Sequence, residues 1–187
     1  MIFNIGIAGF TYFPQYSEDH LKKLYRYWFA RIGAYPSSIL ITQEGDQDTN
    51  KQSTTSPSLW RLKVRALGAY LDYLDPYNRP LGVHTENLRS DPVPEWLDDS
   101  WYTFVPVQAG HDYFTTGTYL NPNTYLNIYN RANKKLPFVE TEANWEGFYK
   151  NYWCDAKVQR HSAFLAIQCG ACGYGYGAQG LYRCANT

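Results

Sequence analysis

An α/β fold of the (β/α)8 barrel type, incomplete in this chain, is what the sequence predicts, and three observations predict it. Short apolar runs alternate with amphipathic helical stretches along the chain, the pattern of βαβ units around a parallel sheet. Six strands are readable, at about 3–8, 37–42, 81–85, 102–108, 137–142 and 173–182. Polar and acidic residues gather just after the strand ends, at Gln43-Glu44-Gly45-Asp46, His84-Thr85-Glu86, Gln108-Ala109-Gly110-His111, Glu142 and Gln179. A barrel of this type builds its site there. A complete barrel needs eight strands and typically about 250 residues. The 187 residues therefore form a single, partial domain, two strand–helix units short.

The elements follow in order. Phe3 to Ala8 is an apolar strand followed by the loop GFTYFPQY. Ser17 suits an N-cap, with Glu18 and Asp19 in the first turn where the helix dipole favours acids. Leu21, Leu24, Tyr25, Trp28 and Ile32 repeat at helical spacing, and Gly33 stops the helix. SSILIT is the second strand. Ser56-Pro57 opens a helix whose stripe is Leu59, Leu62, Ala66, Ala69, Tyr70 and Tyr73. DPYNRP ends it, LGVHTEN carries strand three, DPVPEWLDDS is a loop and YTFVPVQAGH carries strand four. A helix over 121–134 carries Tyr125, Ile128 and Tyr129, LPFVET is strand five, and a helix over about 155–169 carries Val158, Phe164, Leu165 and Ile167. Glycine-rich GYGYGAQGLY supplies the last strand.

Composition narrows the function. Seventeen bases balance seventeen acids, which leaves no footprint for nucleic acid or an anionic membrane. No run approaches the roughly 20 apolar residues of a membrane span. The opening MIFNIGIAGF lacks a basic start and a long apolar core, so it reads as a strand rather than a secretory signal. Aromatic residues are 18% of the chain, and Tyr12, Trp96, Trp101, Tyr113, Trp145, Tyr149 and Trp153 stand among polar residues. Such rings suit a wet, concave ligand site, sugar rings being one ligand, against the ordinary alternative of core packing. Of four cysteines, Cys169 and Cys172 have CxxC spacing without a second pair, so structural thiols are expected ahead of a disulfide or zinc. No GxGxxG, Walker or metal-ligand spacing occurs, and no cofactor or metal is expected.

Carboxylates carry the chemistry. Along Pro137–Glu142, strand alternation puts Phe138, Glu140 and Glu142 on one face. Glu142 then sits at the rim and Glu140 about 7 Å deeper, where a carboxylate must be paired or neutral. Glu146 lies beyond, in the loop with Trp145. Glu44 ends the SSILIT strand, with Asp46 two residues on. Two carboxylates from different strands are what glycoside hydrolysis requires, against the alternative that EGDQD is a solvated turn. His84, Gln108 and His111 follow strands and are candidates to hydrogen-bond sugar hydroxyls, or else satisfied structural groups. Tyr176 adds an amphipathic ring to the same set.

These segments resemble the apiosidase-like glycoside hydrolases of family 140. RYWFARIGAYPSSILITQEGD, VPVQAGH, KLPFVETEANWEG and RHSAFLAIQCGACGYGYGAQGLY match four of its motifs in the same order, over most of residues 21–182. The resemblance implies a (β/α)8 barrel whose acid/base ends strand four and whose nucleophile ends strand seven, with retention of configuration. Glu44 falls on the acid/base, Glu142 on the nucleophile, and Glu146 on a second glutamate of the motif, with Trp145 replacing a tyrosine. The first two strands and the last helix of the barrel are then missing. The family's glycine pair before the acid/base is Thr42-Gln43 here, so Asp46 competes for that role, and Glu140 stands where the family often has Asp.

The expected function is a retaining glycoside hydrolase that releases a terminal sugar from plant cell-wall or related polysaccharide, with Glu140 and Glu146 tuning or orienting the pair. The alternatives are a non-catalytic, vestigial carbohydrate-binding domain and a lyase or isomerase using His84 or His111. The expected partners are a carbohydrate and a completing segment or second chain. An extracytoplasmic location is implied by the resemblance alone.

Overall fold

A computed structural model describes residues 3–7, 15–45, 57–84, 94–110, 113, 116–131, 135–148 and 151–178. Its elements run β1 (Phe3–Ile7), α1 (Glu18–Ile32), β2 (Ser37–Thr42), α2 (Pro57–Leu74), β3 (Leu81–Gly82), α3 (Pro94–Leu97), β4 (Val105–Val107), α4 (Pro122–Arg131), β5 (Phe138–Glu140), α5 (Ala156–Gln168) and β6 (Gly173–Tyr174). The six expected strands are present, and β1 to β5 are each followed by a helix. This is the (β/α)8 type of fold, incomplete in this chain. Two units divide it, Met1–Glu86 with Val93–Val105, and Asn87–Pro92 with Pro106–Thr187.

In the first unit the sheet order is β1-β2-β3. All pairs are parallel, with Phe3 opposite Ser37 and Ile39 opposite Leu81. Ser17 caps α1, its hydroxyl accepting from the His20 N–H. Ile39, Ile41, Leu81 and Val83, Leu21 and Tyr25 of α1, and Val64, Leu67 and Leu71 of α2 are all buried in this unit. The stripe expected for α2 is corrected by this arrangement. Leu62 is 57% and Tyr73 88% exposed. The helix is rotated so that Gly68 faces the Trp101 indole, where a Cβ would lie 2.4 Å from the ring. A glycine carries no weight in a hydrophobic stripe, yet here it decides which face packs.

DPVPEWLDDS is not wholly a loop, since Pro94 opens the single turn α3. Trp96 of that turn and Trp101 are core residues rather than ligand platforms. Their rings lie 6.4 Å apart. The Trp101 Nε1–H donates to Asp99 Oδ2 at 3.0 Å, and Asp99 is also paired with Arg65.

In the second unit the sheet order is β4-β5-β6, and β5 and β6 are parallel with Glu140 opposite Tyr174. Asp155 caps α5 through the N–H groups of Lys157 and Val158. The inner face of α5 is Val158, Gln159, Ser162 and Ala166, whereas the expected Phe164 and Ile167 are exposed. Small and polar residues line the packed side, and Gln159 among them bonds the Tyr174 hydroxyl of β6 and the Asn144 carbonyl. The last strand is shorter than expected: past Tyr174 the pairing resumes as an isolated bridge between Glu146 and Ala178. Cys154 is buried, Cys169 partly so and Cys172 exposed, all as free thiols, so Cys172 departs from the buried role expected of it. Cys184 lies outside the described residues. Among those residues no helix is long and apolar enough to cross a membrane.

Candidate active site

The first unit presents Glu44. Three hydrogen bonds fold the turn after β2 over the end of β3. His84 N–H donates to Thr42 O at 3.2 Å and Gly45 N–H to His84 O at 2.8 Å. The Glu44 N–H donates to His84 Nδ1 at 3.3 Å. Glu44 takes a left-handed φ of 50°, a conformation that costs an L-residue about 1–2 kcal/mol. Gly45 is required beside it, because a Cβ there would meet Val83 Cγ1 at 2.5 Å and Thr42 Cγ2 at 2.6 Å. Behind the turn, Tyr25 of α1 donates its hydroxyl hydrogen to Ile41 O. His84 is buried, and its ring holds the Glu44 backbone. Asp46 lies outside the described residues.

The second unit presents Glu142 and Glu140. The strand ends at Glu140, two residues earlier than expected, and Thr141 continues the pairing through its N–H and hydroxyl, both donating to Val107 O. Glu140 is fully buried and Glu142 half-buried, the order of depth that alternation predicts. Glu140 Oε1 accepts from the Glu142 N–H at 2.9 Å. Its Oε2 accepts from the Tyr125 hydroxyl at 2.8 Å and the Ala109 N–H at 3.2 Å. Burial pushes Glu140 up to about 8, outweighing those three donors, and the Glu142 charge adds to the rise. Burial, then the Glu140 charge, hold the Tyr125 and Tyr174 phenols above their ordinary range.

That shift has a sign for stability. The folded value, about 8, lies above the ordinary 4.5, so the folded chain holds a proton that the unfolded chain releases. Its contribution is complete below about pH 4.5 and is lost as pH rises through about 8, at about 1.4 kcal/mol per pH unit between. Urea unfolding from pH 5 to 9 is expected to show that decline in the native chain and to lose its Glu140 component in Glu140→Gln.

Beyond Glu142 in the same unit stand Trp145, Glu146 and Tyr176. The Tyr176 hydroxyl donates to Glu146 Oε2 at 2.9 Å, and this bond raises the Tyr176 phenol. Glu146 N–H donates to Gly177 O at 2.9 Å. Trp145 packs edge-on to Phe148 at 5.7 Å and sits over Gly177, where a Cβ would lie 2.8 Å from its ring. Gln108 is buried, with no partner for its Oε1 among the described residues. His111 lies outside them. Gln159, Asn144 and Tyr174 carry no local pattern that points to the site, and Tyr125 has only the periodicity of helix core. Their signal is a polar atom buried in an apolar element, which only the fold exposes. Among the described residues no cluster of three or more His, Cys, Asp or Glu side chains is placed to hold a metal ion.

The model of a family described as "Apiosidase-like, catalytic domain" matches residues 7–187. Among solved structures, the chain is similar to a glycoside hydrolase family 5 protein from Bacteroides vulgatus ATCC 8482, at 17% identity and TM-score 0.69, covering 94% of this chain and 39% of that one. A structure described as a glycoside hydrolase matches at 16% identity and TM-score 0.65, covering 91% and 40%. The hyperthermostable endo-1,4-beta-D-mannanase of Thermotoga petrophila RKU-1 matches at 13% identity and TM-score 0.56, covering 86% and 53%. At these identities the likeness is one of fold. The chain spans 39–53% of the length of these three structures. None of the curated proteins compared with it matches significantly.

Proposed function

The chain belongs to the apiosidase-like catalytic-domain family, and from that premise we propose that it is a glycoside hydrolase of retaining mechanism, with Glu142 as nucleophile and Glu44 as acid/base. The observation that carries the proposal is the setting of Glu142: a half-buried carboxylate just past the end of β5, its backbone anchored on fully buried Glu140. A nucleophile needs a fixed position more than it needs reach.

The reaction is a double displacement. A Glu142 oxygen attacks the anomeric carbon as the glycosidic C–O bond breaks, and Glu44 gives its proton to the departing oxygen. The glycosyl ester is then attacked by water, Glu44 takes the water proton, and the Glu142 carboxylate leaves. Trp145, Glu146, Tyr176, His84, Gln108 and His111 are proposed to contact or orient the sugar. The substrate class is a terminal sugar on plant cell-wall or related polysaccharide, met outside the cytoplasm. Two further strand–helix units, from another segment or a second chain, complete the barrel in this proposal.

Proton NMR of the first-formed sugar tests the stereochemistry: retention supports the assignment, and inversion removes Glu142 from the nucleophile's role. Glu44→Gln is expected to slow hydrolysis of unactivated glycosides by about 10²–10⁴-fold. Aryl glycosides that leave without protonation should lose much less. The same pattern in Asp46→Asn, with Glu44→Gln near wild type, would move the acid/base role to Asp46. Sugar binding without turnover under any condition would make the domain a non-catalytic binder.

A further inference from the structure

We infer that the segment carrying Glu142 is held by two buried polar braces, one from β5 and one from α5, which makes Glu140 and Gln159 positioning residues. The catalytic half of this inference rests on the reaction proposed above, whereas the braces rest on the second unit alone.

The first brace is the Glu140 carboxyl group. One oxygen holds the Glu142 N–H, and the other holds the Ala109 N–H and the Tyr125 hydroxyl. The group therefore ties the chain leaving β4 to the chain leaving β5, with α4 contributing the third contact through Tyr125. The second brace is Gln159 of α5. Its Nε2 donates to the Asn144 carbonyl, and its Oε1 accepts from the Tyr174 hydroxyl of β6 at 2.7 Å. With both ends of the amide engaged, the side chain has no freedom to turn. Gln159 and Asn144 are both buried.

The backbone is thus fixed at the N–H of residue 142 and at the carbonyl of residue 144. Packing alone does not call for this. Apolar side chains of similar volume fill a core at no desolvation cost, and a buried ionisable or amide group is often neutral or unfavourable beside them. Here two buried polar side chains, Glu140 and Gln159, bond the short segment behind the proposed nucleophile, and each is itself bonded by a tyrosine hydroxyl, from Tyr125 and Tyr174. A displacement of about 1 Å at such a position can cost about 10²-fold in rate, and supporting hydrogen bonds are what hold a reacting group to about 0.5 Å.

The experiment uses the complete protein and three variants. Glu140→Gln keeps the shape but replaces one oxygen by an NH2 that cannot accept; with the amide oxygen kept on the two donors at the Oε2 position, the NH2 faces the Glu142 N–H. Gln159→Leu removes both bonds of the second brace, and Tyr174→Phe removes one hydroxyl while keeping the ring. Amide exchange at Glu142 is expected to rise about 10-fold or more in Glu140→Gln, as a local hydrogen bond is lost. Turnover per folded molecule is expected to fall about 10–10²-fold in Glu140→Gln and Gln159→Leu and less in Tyr174→Phe, with KM nearly unchanged in all three. Unchanged exchange at Glu142 overturns the first brace. Unchanged kcat in folded Gln159→Leu and Glu140→Gln overturns the positioning role and leaves both residues as packing groups. A wild-type protein that hydrolyses no glycoside overturns the catalytic half together with the reading it rests on, and the exchange rates then decide the brace by themselves.

Discussion

Glu142→Ala is expected to lower kcat on aryl glycosides by about 10⁴-fold or more, the scale seen when a covalent nucleophile is removed. In the proposed reaction the Glu142 carboxylate supplies the electron pair that displaces the leaving group, and water in its place is a far weaker nucleophile. Alanine also leaves a space on the attacking side of the sugar. Azide, small and anionic, should enter that space and restore a measurable rate, giving a glycosyl azide of inverted configuration because only one displacement occurs. Restored turnover with that product identifies Glu142 as the nucleophile. Azide rescue in Glu44→Ala with a retained product is the complementary result for the acid/base. Undiminished hydrolysis by Glu142→Ala would exclude the assignment.

Glu140→Ala is expected to cost about 3–9 kcal/mol of stability. Three buried donors, the Tyr125 hydroxyl and the N–H groups of Ala109 and Glu142, lose their acceptor together. Each buried donor left unpaired costs about 1–3 kcal/mol, and the vacated volume adds a cavity term. Against a typical domain stability of about 5–15 kcal/mol the loss is large. Urea unfolding at pH 6 measures it. A loss under about 1 kcal/mol would mean that the three donors find other partners.

The pH dependence and the cost of Glu140→Ala share one origin. The carboxyl group is the acceptor at which two strand ends and a helix meet, and burial makes its charge expensive. Its neutral form is therefore the stable one over much of the ordinary pH range, which lets it sit beneath the Glu142 charge. Glu44 has a different support, a strained backbone held by a histidine ring. The two candidate carboxylates are fixed by unlike means, and mutation of their supports should differ accordingly in stability and in rate.

Particular residues show how far the sequence reaches. Alternation along 137–142 ordered Glu140 below Glu142, and the fold agrees, because side-chain period is a local property of an extended chain. Strand positions and the cap at Ser17 are equally local. The face of α2 was not legible, since Gly68 selects it by admitting an indole from thirty-three residues away. Phe164 and Ile167 misled for the same reason: α5 packs through small and polar groups. Tyr125 has helical-core periodicity, and nothing local marks its hydroxyl as a donor to a buried acid.

The order of strands and helices, the acids that follow strand ends, and the family resemblance that singles out Glu44 and Glu142 are all legible along the chain. Those follow from propensity, periodicity and motif, which act between near neighbours. Which polar groups meet in the interior, at Glu140, Tyr125, Gln159 and Tyr174, depends on the packing of distant elements. Those pairings join residues 15 or more positions apart, and burial, which no local pattern fixes, sets what each hydrogen bond and charge is worth.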